Sequence, residues 1–250
     1  AALSGFIGSW FLELNINNYH WIFTFLGFCA FAKAVAIFSM PSKPIIDSPH
    51  TNPFGNMKYI IKDKSFGYVL LTWFIMGFAN LWTLPLRVDY VTAPEWGIEG
   101  SAIYVAMIIT IIPETIRMIL IPFWASLFDK MNFVVLRMIL NLFFGFGVLL
   151  FFVTSNPWVI GMGSALIGAA FAGGSIAWNL WVTKYAPPGK AGAYMSVHVS
   201  LTGIRGTIGP ILGYWTVNLI GAQNIGIISF VMMFFATLML IPEIKHGAKR

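Results

Sequence analysis

Apolar residues run along this chain in long unbroken stretches. They do not alternate as in an amphipathic strand, nor do they form the one-sided stripe of a soluble helix. A short opening run, AALSGFIGSWFL, is followed by a polar turn at 13–20 and a longer run at about 21–39. Six more runs cover about 66–86, 100–127, 134–153, 158–183, 191–218 and 223–242, with short connections between them. The longer runs match the roughly 20 residues a helix needs to cross a bilayer. The opening run would make only about 18 Å of helix, so it predicts the second half of a span that begins before Ala1. Continuous runs predict helices, because the strands of a membrane barrel would alternate. The expected fold class is all-α, a polytopic transmembrane helix bundle.

One long polar stretch breaks the pattern. PSKPIIDSPHTNPFGNMKYIIKDKS (41–65) is rich in proline and lysine and reads as a linker between bundles. Within it Asn52-Pro53 has the form of a helix cap followed by a first-turn proline, and FGNMKYII predicts a short helix lying on the membrane surface. The domain boundaries that follow are 1–40 for a half-span and a span, 41–65 for the linker, 66–243 for a six-helix unit and 244–250 for a basic tail.

Composition agrees with this division. The chain is 58% hydrophobic and only 10% charged, against roughly 25% charged in soluble domains, which excludes a single soluble globule. The single cysteine, Cys29, excludes an intrachain disulfide and a cysteine-based metal cluster. A net charge of +6 would suggest nucleic acid in a soluble protein; in a membrane protein the position of the charges matters more, and no nucleic-acid partner is expected. With the linker in the cytoplasm, Lys43, Lys58, Lys62, Lys64, Lys130, Lys184, Lys190, Lys245, Lys249 and Arg250 fall inside and Arg87 falls outside. That bias sets the orientation, linker and C-terminus cytoplasmic, with a bacterial inner membrane as the expected setting. Trp10, Trp21, Trp82, Trp96, Trp158 and Trp215 gather near the outer ends of spans, as an interfacial aromatic belt should.

The turn after the second helix of the six-helix unit reads ASLFDKMNFVVLR (125–137). It resembles the cytoplasmic signature of the major facilitator superfamily, a small residue, an acid four positions later and then bases, with Ala125, Asp129, Lys130 and Arg137 in those places. Ala125 stands where the family prefers glycine and Asn132 replaces a second glycine. The resemblance implies a cytoplasmic gate, in which an acid at one helix end binds a neighbouring helix N-terminus and nearby bases. RGTIGPILGYW (205–215) is similar to a glycine–proline pattern of antiporter branches, and its glycines permit close helix contact. By topology the chain then runs from the end of helix five through helix twelve. That is a six-helix C-terminal half plus one and a half helices of the N-terminal half.

Ionisable residues inside the spans carry the candidate chemistry. Glu114 lies about 22 Å along the helix from Asp129, near the bilayer midplane, with Arg117 as its i+3 neighbour. A lone charge there costs about 3 kcal/mol, so the pair is either a self-neutralising ion pair or a proton or substrate site. Pro113 and Pro122 bracket it and suggest a deformable helix. His198 and Arg205 are seven residues apart and share a helix face. His198 either relays a proton or donates to a carbonyl, and Arg205 needs an anion, Glu114 or an anionic solute. Asn80, Trp178, Asn179 and Trp181 either line a cavity or mark an interface. Lys33 is expected to snorkel. The small-residue run GMGSALIGAAFAGGS (161–175) reads as tight helix packing.

No metal-binding histidine pair, nucleophile elbow or nucleotide loop occurs, so neither an enzyme nor a cofactor is expected. The leading expectation is secondary transport of a small solute by alternating access, with proton coupling open. The alternative is a shortened relative serving as a structural or assembly subunit of a larger complex, holding lipid or pigment. Expected partners are membrane lipids, a small-molecule solute, and the N-terminal helix bundle or other membrane subunits.

Overall fold

The computed structural model of the chain describes residues 2–41, 55–96, 98 and 100–247. Among them the regular structure is helical, without a strand. In chain order the helices are α1 (Ala2–Leu14), α2 (Tyr19–Phe38), the short α3 (Lys58–Lys62), α4 (Lys64–Thr83), α5 (Leu86–Thr92) and α6 (Ala102–Ala106). They continue as α7 (Ile112–Lys130), α8 (Phe133–Phe152), α9 (Pro157–Tyr185), α10 (Ala191–Ile220), α11 (Ala222–Met239) and α12 (Ile244–Gly247). A π-helical segment, Met107–Ile111, joins α6 to α7 without a break. The Asn52-Pro53 cap, Lys43, Glu99, Lys249 and Arg250 lie outside the described residues.

Six helical stretches are long and apolar enough to cross a membrane: Ile16–Phe38, Lys64–Thr92, Ala102–Lys130, Phe133–Phe152, Pro157–Trp178 and Ala222–Glu243. The sequence pattern placed one more span at 191–218. The helix is there and is 30 residues long, but it is too polar to count with the others. His198, Arg205 and a series of glycines, serines and threonines dilute its apolar residues.

Polar side chains set the helix starts. Asp63 accepts from the Phe66 amide at 3.1 Å to cap α4, and Asn156 accepts from Trp158 at 3.0 Å to cap α9. Asn132, which stands in place of a glycine, does two things glycine cannot. Its Oδ1 accepts from the Val134 amide at 2.8 Å, and its Nδ2 donates to the Ile244 carbonyl at 2.8 Å. It thus caps α8 and ties it to the end of the α11–α12 stretch. The same lysine-rich end is held by Ser65 Oγ donating to Glu243 at 2.8 Å and by the Tyr194 hydroxyl donating to Asp63 at 3.1 Å. At the opposite end one residue, Gly221 with φ 81°, turns α10 into α11.

The long helices pack side by side in the order α7, α9, α8, α11, α4, α10. α9 packs between α7 and α8, α8 against α11, and α4 against both α11 and α10. Side-chain size decides how closely they approach. A Cβ at Gly163 would lie 2.8 Å from the Gly147 carbonyl and 2.9 Å from the Phe151 amide, so α8 and α9 touch backbone to backbone. Gly168 meets the backbone of Pro113 in the same way. The 161–175 run is therefore helix packing, as expected. In the 205–215 pattern Gly209 and Gly213 abut the backbone at Leu81 and Trp82 of α4, while Gly206 faces open space.

α1 lies along α6 and the π segment, and Glu13 accepts from the Ile103 amide at 2.9 Å near the start of α6. α2 contributes no buried residue. Trp10, Trp21, Trp158 and Trp215 are exposed, as residues of a belt would have to be. Trp82 is different: its indole N–H donates to Thr216 Oγ1 at 2.9 Å, which makes it part of the α4–α10 contact. The side chain of Trp96 lies outside the described residues.

Gly163→Val should force α8 from α9, because backbone stands on both sides of the added carbons. A loss on the order of 2–3 kcal/mol is expected, read as a lower midpoint of thermal unfolding in detergent, whereas Gly206→Ala should leave that midpoint unchanged.

Candidate functional site

Two apolar clusters fill the bundle, one toward each end. Met76, Phe144, Val148, Phe151 and Phe152 belong to the first, and Phe66, Leu70, Trp73, Trp124 and Trp181 to the second, at the lysine-rich end. Where they meet there is a cavity of about 430 Å³. It is lined from α4 by Trp73, Met76, Gly77 and Asn80, from α7 by Arg117, and from α8 by Arg137 and Phe144. Phe171, Ser175 and Trp178 of α9 and Thr202 and Arg205 of α10 complete it. Among the described residues three arginines line this space and no carboxylate does.

Trp73 organises two of those arginines. The Arg137 guanidinium stacks on its indole with Cζ 3.4 Å from the ring centroid and also donates to Met76 Sδ at 3.2 Å. The Arg205 guanidinium donates to the Trp73 carbonyl and to Thr202 Oγ1, and lies over the Trp178 ring at 5.2 Å. Both arginines are buried, and Arg205 Nε has no hydrogen-bond partner. Gly77 makes this possible, since a Cβ there would occupy the space of the Arg205 guanidinium.

Trp73 is held in turn from below. Trp181 stacks on it at 5.5 Å and Phe66 stacks on Trp181 at 5.5 Å. His198 sits among three indoles, with ring centroids 5.4 Å from Trp73, 4.4 Å from Trp178 and 5.2 Å from Trp181. Its Nε2 has no hydrogen-bond partner. The expected donation to a carbonyl from that nitrogen is therefore not made. The shared face of His198 and Arg205 is real, because Trp178 touches both.

Glu114 pairs with Arg117 at 3.2 Å, the one ion pair among the described residues. It does not reach Arg205, so the anion Arg205 calls for is not this one. Glu114 faces a second, smaller cavity of about 120 Å³ together with Arg87 and Ser164; Phe171 lines both spaces. Arg87 was expected in an outer loop. Instead α5 prolongs the α4 span past Pro85, with helical backbone at Leu84 and Pro85, and the guanidinium is buried and donates to Asn80 Oδ1 at 2.8 Å. Asn80 thus lines the main cavity and holds a buried cation of the smaller one.

The predicted gate residues separate. Asp129 and Lys130 stand exposed at the end of α7 with no ion pair among the described residues. Arg137 is not with them. It lies one turn inside α8, and its side chain reaches up to Trp73, which places it in the cavity. Trp178 lines the cavity, but Trp181 is fully buried beneath it. The side chain of Asn179 lies outside the described residues. Sequence reasoning missed the roles of Trp73, Gly77 and Arg87, each of which depends on a neighbour distant along the chain. It also missed the π segment ahead of Pro113, although a proline that lacks the amide for regular helix bonding was a signal for it.

Family comparison decides the lineage. The chain matches the model of the Major Facilitator Superfamily over residues 1–204 and again over 92–250, together its whole length. The chain belongs to the Major Facilitator Superfamily. The match confirms the resemblance carried by 125–137, and with it an integral membrane protein of the transporter type. No curated protein and no solved structure matches the chain. In this superfamily member the cavity at the meeting of the two clusters, with its arginines and tryptophans, is the candidate site.

Two buried cations without an acid partner should destabilise the empty bundle. Arg137→Met, similar in volume and apolar, is expected to stabilise the empty protein by on the order of 1–2 kcal/mol. The check is thermal unfolding in detergent; a lowered midpoint would mean that the Trp73 stack already offsets the buried charge.

Proposed function

We propose that this superfamily member is a secondary carrier that moves a small solute by alternating access, with the Arg137–Arg205–Trp73 cavity as its solute site. The observation that carries the reading is this cavity. It lies between the two apolar clusters, is lined from five helices, and holds charged side chains where lipid alone would not tolerate them. A pigment-holding subunit, the other reading, would need apolar walls and has no use for two unpaired guanidinium groups, and a lipid would have to bring its headgroup phosphate into the middle of the bundle to meet them.

The helix that carries Glu114 supports a moving part. A π turn and Pro113 precede the Glu114–Arg117 pair, so regular hydrogen bonding is already interrupted there. Glu114 is the acid nearest the cavity and the candidate for proton coupling: protonated, it would release Arg117, and ionised, it would hold it. The lysine-rich end, with the linker and the C-terminus, faces the cytoplasm of a bacterial inner membrane in this reading, as the lysine and arginine bias requires. Asp129 and Lys130 stand at that end, free to meet a helix of the N-terminal bundle as the gate.

The test is accumulation of radiolabelled succinate, phosphate, glucose and choline in proteoliposomes, with and without an inward pH gradient. At least one probe should accumulate above empty vesicles, and Glu114→Gln should remove the response to the gradient while leaving exchange without a gradient in place. If that variant kept the full gradient response, Glu114 would not be the coupling group. If no probe accumulated with wild-type protein, the carrier reading would fail.

A further inference from the structure

We infer that the solute is a compact oxyanion carrying two negative charges, bound between the guanidinium groups of Arg137 and Arg205. The inference rests on the carrier reading for the claim that the cavity receives a solute.

A charge count leads to it. Among the described residues Arg117, Arg137 and Arg205 line the cavity and no Asp or Glu does. Glu114 neutralises Arg117 from the neighbouring space. Two positive charges remain, and both groups are buried. Their present partners are an indole face, a thioether sulfur, a backbone carbonyl and a hydroxyl. All of these accept hydrogen bonds or face a cation, but none cancels a charge.

Geometry narrows the ligand further. Both guanidinium groups are fastened to the same residue, Trp73, one on its ring and one on its carbonyl. Both also line the same cavity. Like charges held together away from water need a counter-ion, and one that meets both at once satisfies the pair best. A neutral solute would leave both charges open, a monoanion would leave one, and a cation would add a third. The planar fork of a guanidinium matches carboxylate and phosphate oxygens two at a time. Asn80 and Thr202 add neutral polar groups, while Trp178, Phe144 and Phe171 wall the remainder with apolar surface. A short dicarboxylate and a phosphate group share this chemistry.

The test is thermal stabilisation of the purified full-length protein in detergent at about pH 8, where phosphate is doubly charged. Succinate, inorganic phosphate, acetate, glucose and choline are compared. Succinate or phosphate should raise the midpoint at concentrations about tenfold or more below those acetate requires, and glucose and choline should not raise it. Preference for succinate identifies a dicarboxylate site and preference for phosphate a phosphate site. Arg137→Gln and Arg205→Gln should each raise the required concentration about tenfold to a hundredfold, without lowering the midpoint of the empty protein. Gly77→Ala keeps both arginines but displaces the Arg205 guanidinium, and should weaken dianion binding in the same direction.

Equal stabilisation by acetate, or by glucose, untouched by the arginine variants, overturns the dianion proposal and leaves a carrier of another solute standing. Absence of stabilisation by both dianions overturns it as well. Selective binding of a dianion together with proteoliposomes that accumulate no probe would instead uphold the site and sink only the carrier reading.

Discussion

The arrangement of the cavity depends on the contact that Trp73 makes with two arginines. A guanidinium inside a helix bundle has lost water and gained no dielectric in return. Arg137 recovers part of that loss on the indole face and Arg205 on the backbone carbonyl of the same residue. Much of the surroundings serves this arrangement. Trp181 and Phe66 support the indole from beneath, His198 fills the space between three indoles, and Gly77 leaves room for the second guanidinium. Gly209 and Gly213 bring α10 against α4, close enough for Arg205 to reach across.

The same contact explains why α10 is too polar to count with the spans. It supplies Arg205, Thr202 and His198 to the site and gives up apolar residues for small ones where it meets α4. A helix of that composition is poorly matched to lipid. It belongs beside a cavity, with neighbours on both sides, and depends on packing more than on hydrophobicity to stay in place.

Rigid and deformable parts are divided between the helices. α8 and α9 meet backbone to backbone at Gly147 and Gly163, and the lysine-rich end is tied by Asn132, Ser65 and Tyr194. The α6–α7 span is built differently, with a π turn, Pro113 and an ion pair in succession. For the proposed carrier these would serve as a fixed wall that keeps the arginines in register and a span able to shift when a charge changes.

Most of the fold was legible in the sequence because bilayer crossing is a property of consecutive residues. Run length determined an all-helical membrane bundle and the helix positions to within a few residues, and the i+3 spacing gave the pairing of Glu114 with Arg117. The run 125–137 also carried enough of a local pattern to name the superfamily. The partners of the buried arginines could not be read in this way. Arg205 finds a carbonyl 132 residues back in the chain, and Arg137 stacks on an indole from another helix. Arg87 is buried because the helix continues past Pro85 and sets its guanidinium against Asn80. Such contacts depend on helix rotation and close approach, which hydropathy does not encode, and only the packed bundle decided that two cations would share one tryptophan without an acid between them.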